Sequence, residues 1–141
     1  MNKYTYGELE VGMKENFEVT ITQSMMDKFF EITGDSNPLH RDKLFANSKG
    51  FSDTVVYGML TASFLSTLAG VYLPGERSLI QTVETKFVKP VMVGDTLTIA
   101  GEIAEMFDSV QVIVLKVVIT NQNNEKVLRG TMKVGVLGER K

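Results

Sequence analysis

The stretch Gly58-Met59-Leu60-Thr61-Ala62-Ser63-Phe64-Leu65-Ser66-Thr67-Leu68-Ala69-Gly70-Val71-Tyr72 decides the fold. Its apolar residues fall on nearly every face of a helix, and a helix that is apolar all round is one that is buried all round. At 1.5 Å per residue it would run roughly 20 Å. Ala62, Ser63, Ser66, Ala69 and Gly70 give it a small-residue side that another element can approach closely. Leu73-Pro74-Gly75 stops it.

Everything downstream reads as strand. Residues 78 to 89 alternate, with Leu79, Val83 and Phe87 on one face. Lys89-Pro90 and Gly94-Asp95 punctuate the chain. Leu97, Ile99 and Ile103 then alternate with Thr96, Thr98 and Glu102. Residues 110 to 120 are apolar on both faces, as expected of a central strand. Asn121 to Glu125 is a polar hairpin turn, and Leu128, Met132, Val134 and Val136 form a last strand.

Upstream, residues 16 to 22 alternate, with Phe17, Val19 and Ile21 on one side. Ser24 is placed to cap a helix carrying the stripe Met25, Met26, Phe29 and Phe30, and Gly34 to end it. Asn37-Pro38 starts a turn or a helix, a short helical turn spans Asp42 to Ala46, and residues 47 to 54 form a loop. One buried helix with a run of antiparallel strands is an α+β arrangement, most simply a curved sheet wrapped around the helix. The 141 residues suit one domain, 1–141. A sheet edge and a sheet face left uncovered would be satisfied by a second copy, so a homodimer is expected.

Composition narrows the function. Fifteen Lys and Arg stand against 17 Asp and Glu, with no basic run, so a nucleic-acid partner is not expected. The absence of cysteine excludes disulfides, thiol nucleophiles and thiolate metal sites, and suits a reducing, cytoplasmic setting. No leader or membrane span is expected: the N-terminus lacks an apolar core, and Thr61, Ser63, Ser66 and Thr67 interrupt the one long apolar segment. With one histidine, no transition-metal site is expected either.

That histidine, His40, closes the polar stretch Thr33-Gly34-Asp35-Ser36-Asn37-Pro38-Leu39-His40. The run Gly34 to Asp42, then Phe45-Ala46, then Val56-Tyr57-Gly58-Met59-Leu60, closely resembles the MaoC-like (R)-specific enoyl-CoA hydratases. Leu73-Pro74-Gly75 and Phe87-Val88-Lys89-Pro90-Val91-Met92-Val93-Gly94-Asp95 are similar to that family as well, and the likeness runs from about residue 10 to the C-terminus. The resemblance implies the hotdog fold, a dimer, and reversible addition of water to a trans-2-enoyl-CoA. It implies that Asp35 and His40 are catalytic. It also implies that the Gly58 N–H meets the thioester oxygen and that Ser66 sits in the active site. Tyr57 stands where the family usually has histidine; it can donate a hydrogen bond but cannot supply an imidazole. Asn37 and Tyr57 complete the expected substrate-binding set, although Asn37 by itself reads first as a residue that bonds the loop backbone.

These residue types suit the chemistry. Hydrating a conjugated thioester requires an oriented, deprotonated water, a proton for C2, and stabilisation of the enolate-like oxygen. Asp and His exchange protons and together hold one water. A backbone N–H at a helix N-terminus is preorganised where the charge develops. No cofactor is required, since coenzyme A enters as part of the substrate. Two other readings stay open at this point: a hotdog acyl-CoA thioesterase with Asp35 as base, and an acyl-CoA-binding module without turnover.

Overall fold

Five antiparallel strands form one sheet in the order β1-β3-β4-β5-β2, with the long helix laid against one face. The computed structural model describes residues 1–138. The strands are β1 (Lys14–Thr20), β2 (Ser78–Phe87), β3 (Thr96–Phe107), β4 (Val112–Thr120) and β5 (Lys126–Val136). The helices are α1 (Gln23–Thr33), α2 (Pro38–Arg41), α3 (Lys43–Ser48) and α4 (Gly58–Thr67). This is the α+β hotdog arrangement expected from the sequence.

The core lies between α4 and the sheet. Leu97, Ile99, Ile103, Leu115, Val117, Ile119, Leu128 and Met132 bury their side chains from the strands, and Leu65, Leu68 and Leu73 meet them from the helix side. β4 is the central strand, paired on both sides; Ile113, Leu115, Val117 and Ile119 fill its core face, while the other face, expected to be apolar too, sets Val114 and Val118 beside an exposed Lys116. The opposite face of the sheet carries Glu84, Lys86, Lys116, Arg129 and Thr131 and is exposed.

Four local expectations are corrected. The first strand begins earlier, at Lys14, although Phe17, Val19 and Ile21 do face inward. The N-cap of α1 is Thr22, not Ser24: its hydroxyl accepts from the Met25 N–H at 3.2 Å. The helix after Asp42 runs on to Ser48, and the Asp42 carboxylate caps its start by accepting from both the Leu44 and Phe45 N–H groups. The long helix changes pitch, α-helical to Thr67 and π-helical over Leu68–Tyr72.

The close approach of helix to sheet depends on Gly101 in β3. A Cβ there would lie 2.8 Å from Cδ2 of Leu68, a fully buried side chain at the start of the π turn. Overpacking of this kind costs about 1–3 kcal/mol. Gly101→Val should therefore lower the urea midpoint by that amount of stability without changing the slope of the transition.

α4 is not buried all round. Met59 is 65 % exposed, and Ser63 and Ser66 lie on the same open side. Of its small-residue side, Ser63 and Ser66 are exposed, whereas Ala69 is fully buried and Ala62 and Gly70 are half-buried. β2 is an edge strand, paired only with β5. A bulge between Ile80 and Thr82 adds a residue there. The expected face Leu79, Val83, Phe87 is therefore split: Ile80, not Leu79, joins Val83 and Phe87 beside the open side of α4.

Candidate active site

Gly34 ends α1 in the left-handed conformation, φ 70°, where its N–H closes the last turn on Phe30 O. Thr33 sets the exit, donating to Phe29 O and accepting from the Asp35 N–H. Asp35 then folds back over the loop: Oδ1 accepts from the Asn37 N–H at 3.1 Å, and Oδ2 has no partner among the described residues. Asn37 caps α2 by accepting from the Leu39 N–H, and Pro38 occupies the first turn of that helix. The loop is clasped to α1 by Arg41, which bonds Asp27 at 2.8 Å and lies over the Phe30 ring. Hydrogen bonds from Gln23 and then Arg41 hold the Asp27 carboxyl below its ordinary range. That clasp is intact above the ordinary carboxylate range and loosens only as pH falls through the lowered value.

His40 is fixed by backbone. Its Nδ1 lies 2.6 Å from Val55 O, and a carbonyl can only accept, so Nδ1 carries the proton. In the neutral ring Nε2 is then the basic nitrogen, and it has no partner among the described residues. Val55 is held in turn: its N–H donates to Leu39 O, and it forms a bridge with Met92. The Tyr57 ring stacks on the imidazole with centroids 4.3 Å apart, and Phe29 packs against Tyr57 at 4.8 Å.

α4 begins at Gly58. Its earliest intrahelical bonds run from the Leu60 and Thr61 N–H groups to Tyr57 O, so the Gly58 and Met59 amides have no partner within the helix. An added Cβ on Gly58 would lie 3.1 Å from the Phe87 ring, so glycine keeps this end of the helix open.

These pieces surround one cavity of about 770 Å³, into which Asp35, His40, Gly58 and Ser66 all face, with Phe29, Ile80, Val83 and Phe87 as apolar walls. A neighbouring cavity of about 310 Å³ shares His40, Gly58 and Phe87 and has Lys89 at its rim. Few polar groups converging in an apolar hollow is the usual form of a small-molecule site.

The MaoC-like domain model matches residues 8–125. The chain belongs to the MaoC-like domain family. An (R)-specific enoyl-CoA hydratase from Aeromonas caviae is 33 % identical over 122 residues, 86 % of this chain and 91 % of that one. A 3-hydroxybutyryl-CoA dehydratase from Methylorubrum extorquens is 35 % identical over 72 % of this chain; the match spans 64 % of that relative, just under two thirds of its length. Among solved structures, an (R)-hydratase from Aeromonas caviae superposes with TM-score 0.88 at 32 % identity, covering 92 % of this chain and 98 % of that one. An unliganded (R)-hydratase from Pseudomonas aeruginosa gives 0.90 at 27 % identity, covering 96 % and 86 %. Both curated relatives are named as enzymes that add or remove water.

In this MaoC-like chain Tyr57, of the expected substrate-binding residues, lines the cavity and Asn37 does not. Asn37 does not line the cavity, because its side-chain oxygen is engaged in capping α2. Tyr57 borders the cavity although it is 1 % exposed, and its O–H is engaged in donating to Asp35 O at 2.7 Å. Burial pushes the Tyr57 phenol above its ordinary value, with Arg41 pulling against it, so it stays a donor. Two contributors were not read from sequence. The Val55 carbonyl is a backbone group and has no residue signature. Thr61 is 2 % exposed beside the smaller cavity, and its hydroxyl has no hydrogen-bond partner among the described residues. Its position one turn beyond Gly58 was the available signal.

Proposed function

We propose that the protein is an (R)-specific enoyl-CoA hydratase, adding water reversibly to a trans-2-enoyl-CoA to give an (R)-3-hydroxyacyl-CoA. One observation carries the reading: Asp35, His40 and the amide end of α4 at Gly58 line a single apolar cavity. Fixing Nδ1–H on Val55 O leaves Nε2 of His40 to take a proton from water. Asp35 holds the same water through its carboxylate. As the water oxygen bonds to C3, the C2–C3 π electrons move toward C1, and charge gathers on the thioester oxygen. The Gly58 N–H receives that charge, helped by the positive end of the helix. The proton taken by His40 is then delivered to C2 from the same side, which makes the addition syn. Atoms balance as the addition of one water, and no resident cofactor takes part; coenzyme A belongs to the substrate.

The working form we propose is a homodimer in the cytoplasm. No described helix is long and apolar enough to cross a membrane. The open side of α4 and the edge strand β2 support the dimer, since Val83 and Phe87 are 46 % and 49 % exposed in the single chain. A charge in that patch is hard to bury, so Val83→Lys should move the protein from dimer to monomer by light scattering at micromolar concentration.

The reading is tested by following the ultraviolet absorbance of crotonyl-CoA and its longer homologues. Loss of the conjugated absorbance without release of thiol supports hydration. Thiol release from a saturated acyl-CoA would make the chain a thioesterase. Tight acyl-CoA binding with neither reaction would make it a binding module.

A further inference from the structure

Tyr57 touches both candidate catalytic residues. Its hydroxyl donates to the backbone carbonyl of Asp35 at 2.7 Å, and its ring stacks on His40 at a centroid separation of 4.3 Å. These are two different contacts through two different parts of one side chain. Asp35 belongs to the loop after α1, and His40 to α2, where Val55 O holds it. Tyr57 belongs to neither: it is the residue immediately before α4, so its backbone is set by the same helix start that presents Gly58. The Tyr57 carbonyl also accepts from the Leu60 and Thr61 N–H groups, which ties its backbone to the first turn of α4.

We propose that Tyr57 is a positioning residue that fixes Asp35 and His40 relative to each other and to the α4 amide. The proposal rests on the hydratase reading of the site. The three groups act on the thioester oxygen, C2 and C3 of one acyl chain, so the rate depends on their relative placement. Nothing else described holds Asp35 from across the cavity: its other bonds, from the Asn37 N–H and to Thr33, lie within its own loop. Thus the hydroxyl restrains Asp35 and the ring restrains His40. Tyr57 borders the cavity but is only 1 % exposed, and its O–H is engaged on Asp35 O, so it acts by holding the two groups in place.

The two contacts separate by mutation. Tyr57→Phe keeps the ring and removes only the hydroxyl; Tyr57→Leu removes both. His40 is the sole histidine, so in tag-free protein its imidazole nitrogens give the only such NMR signals and report its tautomer directly. With crotonyl-CoA, Tyr57→Phe should lower kcat on the order of 10- to 100-fold, the loss expected when a catalytic group is misplaced by about 1 Å. KM should stay within about twofold, since the restraint matters to the reacting geometry more than to ground-state binding. Val55 O should keep the Nδ1–H pattern in both variants, while the His40 signals should broaden or split in Tyr57→Leu, where the stacked ring that restrains the imidazole is gone. A Tyr57→Phe enzyme with unchanged kcat, or one whose kcat falls only in proportion to its folded fraction, overturns the proposal and leaves the hydratase reading standing. A folded wild type inert toward every enoyl thioester overturns both.

Discussion

His40→Asn and Asp35→Asn should each lower kcat for crotonyl-CoA hydration by about 10²- to 10⁴-fold, the range for removal of a general acid or base. Asparagine is the informative replacement for His40, because its side-chain nitrogen sits near the place of Nδ1 and can still donate to Val55 O, which here lies 2.6 Å away. What it lacks is the basic Nε2. Asp35→Asn likewise keeps an oxygen to accept from the Asn37 N–H and loses only the charge. Both variants should therefore fold with nearly unchanged urea midpoints. Because the two side chains work on one water, the losses should not add: the double variant should be about as slow as the slower single one. His40 is the only imidazole, so any limb of the pH–rate profile that depends on a histidine should vanish with it.

The second large effect lies in the backbone. Gly58 is the first residue of α4, where proline is tolerated because that N–H has no partner in the helix. Tyr57 before it has φ −53° and ψ 124°, a conformation proline allows in its predecessor. Gly58→Pro can thus delete one N–H while the helix is kept. The expected loss is about 10²- to 10³-fold in kcat, the usual consequence of losing one oxyanion donor. Gly58→Ala is the control. It keeps the N–H, and its methyl group meets the Phe87 ring at 3.1 Å, a contact relieved by a few tenths of an ångström of movement of that side chain. A Gly58→Ala enzyme as slow as Gly58→Pro would move the effect from the amide to the shape of the cavity.

The sequence carried the parts of this arrangement that depend on local pattern. The stripe Met25, Met26, Phe29, Phe30 needs only helical spacing, and Gly34 needs only a left-handed residue at a helix end. The strands after Tyr72 need only alternation. What depends on the neighbours across space was not legible. A helix without charges gives no sign of which side is left open, so Met59, Ser63 and Ser66 were expected to be covered. The β2 bulge exchanges Ile80 for Leu79 beside the cavity, and alternation counted along one strand cannot detect an added residue. Thr22 outcompetes Ser24 as cap because the chain leaves β1 where Ile21 pairs with Asp95 O, starting the helix two residues sooner. The resemblance pointed to Asp35, His40 and Gly58. It did not indicate that Tyr57 bonds the Asp35 carbonyl or that Val55 O selects the imidazole tautomer.

The central claim is that one Asp–His pair adds water to a single face of a conjugated thioester. The direct measurement is hydration of crotonyl-CoA in deuterium oxide, with chiral analysis at C3 and deuterium placement at C2. The account predicts (R)-3-hydroxybutyryl-CoA bearing deuterium at C2 on the same face as the new hydroxyl. Anti addition, the (S) product, or free thiol with the double bond intact would contradict it.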